Sequence, residues 1–391
     1  MQDQDRHPPT LGLDVQVLMD ATEQCSVEQR QQLAAQVAAF LCSEGEPQQE
    51  REQLIAVALR LAADASPEVR EVLARGLSGL AGLHPDLLFA IVSDDDNIAL
   101  PFLCATPALT QLHMLSVLRV GDEARQAAIL SRPDVTTDVI DFVVKSLPLA
   151  LNRLLLKSDR FCLTSQQFQT LYDRFSDQQD MTDLLLARPD LPASIRILQV
   201  RRAATSLQGL LSERDWLQGG DAAGLIEEAE ENAVLELLGS TRAAQLPSLV
   251  SFLVNQDILT PSIIVRAACR GDIDIVTNCL AILAHWPVER VRQQVFGSGN
   301  LRTLIERAGL PQSCHWPLRA VCDVAHDQRL DGVRLTSDEF GSRVVEALMT
   351  RYAAMPKAEQ PRSLDVVSRY ASGRARLIAR RLKDDLMAEA A

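Results

Sequence analysis

A short phrase recurs between Asp64 and Arg188, and it limits what the chain can fold into. It is a polar turn that passes straight into a helix start. One form runs Asp64-Ala65-Ser66-Pro67-Glu68-Val69-Arg70 and Ser93-Asp94-Asp95-Asp96-Asn97-Ile98-Ala99-Leu100-Pro101; a second runs Arg132-Pro133-Asp134-Val135-Thr136 and Arg188-Pro189-Asp190-Leu191-Pro192. The residues have separate physical roles. Ser66 suits a helix N-cap, and Pro67 suits the first helical position, where its missing N–H costs nothing. Glu68 in the first turn favours the helix dipole. Val69, Val72, Leu73 and Leu77 then fall on one helical stripe.

Start-to-start spacings are 32 residues from Asp64 to Asp96, 38 from Asp96 to Asp134 and 56 from Asp134 to Asp190. The last interval has room for two units, with Leu156-Lys157-Ser158-Asp159 as the turn between them. Periods in the thirties and forties with helix-turn-helix content point to a helical solenoid. Rigid tetratricopeptide or ankyrin spacing is absent, whereas Asp64 followed by Val69-Arg70 fits a HEAT-like pattern. The expected fold class is all-α, a HEAT-like α-solenoid N-terminal half packed with a second helical domain. Composition agrees: aromatics are 4% of a Leu- and Ala-rich chain, which favours helix over sheet.

The remaining sequence divides as follows. Residues 1–10 read as a flexible tail and 11–200 as the repeat domain, in which Ser26 and Gln29 form a capping-box pattern and His84-Pro85-Asp86 opens a helix. After Val200 the phrase stops. Residues 201–222 read as a connecting polar helix leading into a Gly219-Gly220 hinge, and 223–356 as a C-terminal helical domain. Its first helix sets Leu225, Ala229, Leu235 and Leu238 beside an acidic face of Glu227, Glu228, Glu230 and Glu231. Residues 357–391 read as a basic amphipathic C-terminal helix, in which Arg374, Arg376, Arg380 and Arg381 interleave with Val367, Tyr370, Ile378, Leu382 and Leu386. Such a helix docks on its own protein, on a partner or peripherally on an anionic membrane.

Several of these phrases resemble, in order, a family of uncharacterised function from proteobacteria, mainly alphaproteobacteria. The residues that carry the resemblance are Asp64-Ala-Ser-Pro-Glu-Val-Arg, Ile98-Ala-Leu-Pro-Phe-Leu, Ile129-Leu-Ser-Arg-Pro-Asp-Val, Leu259-Thr-Pro-Ser-Ile-Ile-Val-Arg-Ala and Leu301-Arg-Thr-Leu-Ile-Glu-Arg-Ala-Gly-Leu-Pro. It spans about Leu54 to Pro311. The resemblance implies an all-helical, HEAT-like front half and a helical back half, and it implies no known reaction.

Charge limits the partners. Residues 1–199 carry 16 Lys+Arg against 28 Asp+Glu, and the remainder 23 against 24. An acidic front half repels phosphate backbones, so nucleic acid is an unfavourable ligand. No apolar run approaches the ~18 residues of a membrane span. The eight cysteines are scattered singly, and the first residues lack the pattern of a signal peptide, so the expected location is the cytoplasm with reduced thiols.

Candidate sites are sparse. Asp94, Asp95, Asp96 and Asn97 could hold a basic partner or a cation, but no bend glycine or closing Glu makes an EF-hand of them. Cys314, His315, Cys322 and His326 have zinc-like composition, yet Cys-His-x6-Cys-x3-His is not a standard zinc spacing, and buried core thiols explain the cysteines equally well. Gly297-Ser298-Gly299 lacks the strand-to-helix context of a nucleophile elbow, and Gly219-Gly220 lacks a following Gly-Lys-Ser/Thr. No catalytic residue, cofactor or enzyme activity is therefore expected. The expected function is a non-catalytic scaffold or adaptor, in bacterial signalling or cell-cycle regulation, whose acidic face binds a basic or amphipathic protein partner. The alternative is a nucleotide or second-messenger receptor using Arg201, Arg202 and Arg214 in a cleft between the domains. A HEAT-like DNA-repair enzyme is more remote, because Trp216, Trp286 and Trp316 all lie in the back half.

Overall fold

The structure is a computed structural model, described here for residues 15–43, 48–214, 221–297, 300–332, 335–371 and 373–389. The expected tail at 1–10, the Gly219-Gly220 hinge with Trp216, and Ser298-Gly299 lie outside these residues. Among the described residues every regular element is a helix, 23 α-helices and one 3-10 turn, and there is no strand. The chain forms two compact units, Met1–Asp190 and Leu191–Ala391. The division follows the last Arg-Pro-Asp phrase rather than Val200, which sits inside an unbroken helix.

In the first unit the helices are α1 (Val15–Gln24), α2 (Val27–Cys42), α3 (Gln48–Ala62), α4 (Pro67–Leu77), α5 (Pro85–Val92), α6 (Asp96–Ala105), α7 (Gln111–Val120), α8 (Glu123–Ser131), α9 (Thr137–Ser146), α10 (Leu149–Lys157), α11 (Ser165–Phe175) and α12 (Gln179–Ala187). Sequence chemistry sets many of the starts. Ser26 and Gln29 close a reciprocal capping box, as do Thr110 with His113 and Thr164 with Gln167. Pro67 and Pro85 occupy first-turn positions.

Packing alternates. α2, α4, α6, α8, α10 and α12 each rest on the next of that series, while α1 with α3, α3 with α5, α7 with α9 and α9 with α11 do the same in a second row. Between the rows lie fully buried apolar side chains, including Leu54, Leu61, Leu73, Leu77, Phe102, Leu118, Ile129, Leu151 and Phe168. At about 25 cal/mol per Å² of apolar area removed from water, these contacts supply the main cohesion.

A set of arginines ties several of the turns to others in the unit. Arg30 forks onto Asp64 at 2.7 and 3.0 Å, and Arg70 forks onto Asp94 while donating to the Asp64 carbonyl at 2.9 Å. Further along, the targets become carbonyls at helix C-termini, whose oxygens have no partner in their own helix, and in the loops that follow them. Arg125 donates to Val92 O and Asp94 O, and Arg132 to Leu103 O. Arg160 donates to Leu130 O and Ser131 O, Arg174 to Val144 O and Leu147 O, and Arg188 to Ser158 O and Phe161 O. In both Arg-Pro-Asp phrases the arginine is buried and held flat by the aspartate two residues on, Arg132 by Asp134 and Arg188 by Asp190. A cation at those carbonyls also opposes the negative end of the helix dipole.

The second unit comprises α13 (Ala193–Arg214), α14 (Asp221–Ser240), α15 (Leu246–Asn255), α16 (Pro261–Arg270), α17 (Ile273–Ala284), α18 (Val288–Phe296), α19 (Leu301–Arg307), α20 (His315–Asp331), α21 (Ser337–Tyr352), α22 (Gln360–Tyr370) and α23 (Gly373–Glu389). Its core runs continuously from Ile197 to Ala379, with α16 and α17 nearly enclosed. Gly271 ends α16 in the left-handed conformation, φ +84°, with the Phe340 ring 3.0 Å from where a Cβ would sit. Only glycine fits there without strain.

Arg188→Leu removes a buried cation and strands the carbonyls it serves. It is expected to lower unfolding stability by about 2–4 kcal/mol in urea titration. Arg160→Leu acts at an exposed side chain and is expected to cost under about 1 kcal/mol.

Candidate interaction groove

The acidic turn is largely engaged within its own unit. Asp94 is held by Arg70 at 2.9 Å with its side chain only 10% exposed. Asp95 takes a second bond from Arg70, and Asp96 one from Arg125 at 2.8 Å, yet both stay open to solvent. Asn97 lines a shallow hollow between α4 and α6, with Glu71, Arg75 and Pro101. The four residues thus do not converge on one external ligand: Asp94 is a strut, and Asp95 and Asp96 are surface charges.

The same struts leave a titration signature. Burial pushes the Asp64 carboxyl up, but its bonds from Arg30 and the Ser66 amide, with Arg70 nearby, outweigh this and hold it below the ordinary carboxylate range. Arg132 and Arg188 lower Asp134 and Asp190 in the same way through their hydrogen bonds.

The cysteine and histidine residues of α20 and the turn before it do not meet as a ligand set. Cys314 and Cys322 are buried in the core, where burial raises the Cys314 thiol and pushes Cys322 up to about 12. His315 packs edge-on against Trp316, its basicity lowered by burial and by Arg302, while His326 is exposed. Among the described residues no three His, Cys, Asp or Glu side chains are grouped to hold a metal.

At the C-terminus the expected single basic helix is two, α22 and α23, broken at Ala371 where α22 ends. Both pack into the second unit through Leu364, Val367, Ala375 and Ala379. Arg376 is tied down: it donates to Ala371 O at 2.7 Å and pairs with Glu228. Arg374, Arg380 and Arg381 are exposed and have no ion pair among the described residues.

That contact exposes a network the sequence concealed. Glu231, read as part of a solvent-facing acidic stripe, is 5% exposed and accepts two bonds from buried Arg266 at 2.9 and 3.1 Å. Thr260 and Ser262 donate to its other oxygen. Arg266 also reaches Glu228 at 3.3 Å and lies over the Tyr370 ring at 5.6 Å. The Arg376 hydrogen bond is the main reason the Glu228 carboxyl is held low. Arg201, for its part, donates to Gln256 O at 2.8 Å within the second unit.

A groove in the first unit was not foreseen from the sequence. α5 and α7 stand as two walls around a cavity of about 500 Å³, lined by Leu88, Phe89 and Val92 from α5, by Leu109 from the preceding turn, and by His113, Val117 and Val120 from α7. Arg125 also lines it. Phe89 is 74% exposed and Val120 86% exposed, unusual for large apolar side chains. Leu112, also 74% exposed, extends the stripe through Ser116 to Val120 at intervals of four. The other exposed large apolar side chains of this unit, Val17, Val27, Leu154 and Leu186, do not line this cavity.

The family model described as "Uncharacterised protein conserved in bacteria (DUF2336)" matches residues 98–358, and the chain belongs to that family. The match begins within α6, so it includes the α7 wall of the groove and not the α5 wall. No curated protein matches the chain. No solved structure matches it either. Among the described residues no helix is long and apolar enough to cross a membrane.

Two outcomes are expected. Asp64, Asp134 and Asp190 have depressed folded values, so their stabilisation is present above the unfolded carboxylate pKa near 3.9 and is lost as pH falls through the folded values. Melting temperature should therefore drop steeply below about pH 4, and Asp64→Asn should lower it at pH 7 while flattening the acid limb. In the second unit, Arg266→Ala should cost about 3–5 kcal/mol by leaving Glu231 buried and unpaired. The concerted Arg266→Met/Glu231→Leu change should recover most of that loss in the same urea titration.

Proposed function

We propose that this protein is a non-catalytic adaptor whose first unit is a HEAT-like α-solenoid presenting an acidic face to a basic or amphipathic protein partner. The observation that carries the reading is the alternating two-row packing of α1 to α12, with several turns strapped to others by arginines. Stacks of this kind bury a core between rows and leave both outer faces continuous, which suits them to gripping another chain. The excess of acidic residues in the front half gives that face its preference in partner charge and predicts fast, salt-sensitive association.

The test uses the full chain as bait in extracts of the cell that makes it, with bound proteins identified after stepwise salt elution. A defined basic or helix-rich protein eluting at moderate salt is expected, and it should rebind the purified chain directly. Failure of any captured protein to rebind, combined with saturable binding of a free nucleotide in equilibrium dialysis, would replace the adaptor with a small-ligand receptor.

A further inference from the structure

From the groove walls and the charges around them, we propose that the space between α5 and α7 is the docking site for one amphipathic helix of a partner protein, with an apolar stripe flanked by Lys and Arg. This rests on the adaptor reading and specifies where and how the partner is held.

The apolar part of the argument is shape. The walls are helices of 8 and 10 residues, about 12–15 Å long at 1.5 Å per residue, which matches two to three turns of a docked helix. Phe89 of α5 and Val120 of α7 line the cavity and are open to solvent, whereas Leu88 and Leu109 line it as buried side chains. A helix laid between them would bring apolar anchors at i, i+3 or i+4 and i+7 onto that floor, the usual way a groove reads a helix. Covering Phe89 and Val120 would remove from water the exposed large apolar side chains that line the cavity.

The polar part is charge. Asp86 follows Pro85 on one lip, exposed, with the His84 ring 3.8 Å away. Asp122 and Glu123 follow Gly121 at the other lip, and Asp96 sits against Arg125. Arg125, the one cation lining the cavity, is already bound to Asp96 and Asp122. Arg119, the next cation on α7, lies over Phe142 of α9 at 5.7 Å, turned from the opening. The rim is therefore negative around an apolar floor. An acidic helix or an anionic lipid surface would be repelled, whereas a helix with basic flanks gains on both counts.

The experiment measures anisotropy of a fluorescein-labelled 18-residue peptide, an amphipathic helix with a Leu stripe and Lys/Arg flanks, titrated with the full chain. Two controls have the same length: a sequence scramble, and an analogue with Glu at every basic position. Saturable micromolar binding is expected for the basic peptide, with at least tenfold weaker binding of both controls. Because Phe89 and Val120 are exposed, Phe89→Ser/Val120→Ser should fold normally, as circular dichroism checks, and weaken binding at least tenfold at every salt concentration. Asp86→Lys/Glu123→Lys should weaken binding at low salt and reduce its salt dependence. Equal binding of the Glu analogue, or unchanged binding by the Phe89/Val120 variant, overturns the groove while leaving an adaptor that grips elsewhere. No saturable binding of the basic peptide overturns the groove as well, and the extract capture then decides the adaptor reading independently.

Discussion

Arginines that cross from one helical turn to another fasten turns of the first unit together on top of its apolar packing. Short helices of about ten residues are marginal by themselves in water, and each one ends in carbonyl groups that its own backbone cannot satisfy. Arg125, Arg132, Arg160, Arg174 and Arg188 deliver guanidinium donors to carbonyls at such helix ends from about thirty residues further along the chain. Arg30 and Arg70 do the equivalent with aspartates in the turns. The planar fork matters: a lysine ammonium would reach one acceptor where the guanidinium spans a carboxylate and a carbonyl together. Apolar packing supplies most of the cohesion between rows, and the arginines determine which turn sits beside which.

This division of labour leaves Asp94 engaged inside the unit, while Asp95 and Asp96 stay open to solvent. Asp94 is needed to hold Arg70, and Asp96 helps to hold Arg125. What faces solvent near Arg125 is a combination the fold does not require: Phe89 and Val120 in the open, with exposed Asp86, beside His84, and exposed Glu123. Exposed aromatic and β-branched side chains on a helical surface add nothing to folding, since nothing in the unit covers them. Their presence beside a cavity is the physical basis for assigning the first unit an occupant. The second unit differs. There the charges turn inward, and Glu231, Arg266, Glu228 and Arg376 connect α14, α16 and α23 through a network that includes buried groups. The C-terminal basic segment is thereby fastened to its own unit, with Arg374, Arg380 and Arg381 left on the surface.

Much of the fold was readable because helix starts have local chemistry. Ser26 with Gln29, Ser66-Pro67, His84-Pro85 and Thr260-Pro261 each mark a start that forms, and the turn read at Leu156–Asp159 lies where α10 ends. Local pattern failed where the deciding partner is distant in sequence. Glu231 looked like a solvated face because its neighbours are acidic, and Arg266, 35 residues away, reverses that. The apparent basic helix at the C-terminus is interrupted at Ala371. The unit boundary fell before Val200 because α13 runs on through it. The groove had only a faint trace, Phe89 off the buried stripe of Leu87, Leu88 and Ile91, since a gap between two walls depends on how two helices that are not consecutive in the chain are set.

The most direct measurement is hydrogen–deuterium exchange of the full chain with and without a saturating basic amphipathic helix. The account predicts slowed exchange confined to α5, the turn before α7, α7 and the start of α8, with the helices of the second unit unchanged. Protection that falls in the second unit, or none in α5 and α7 under saturation, would contradict it.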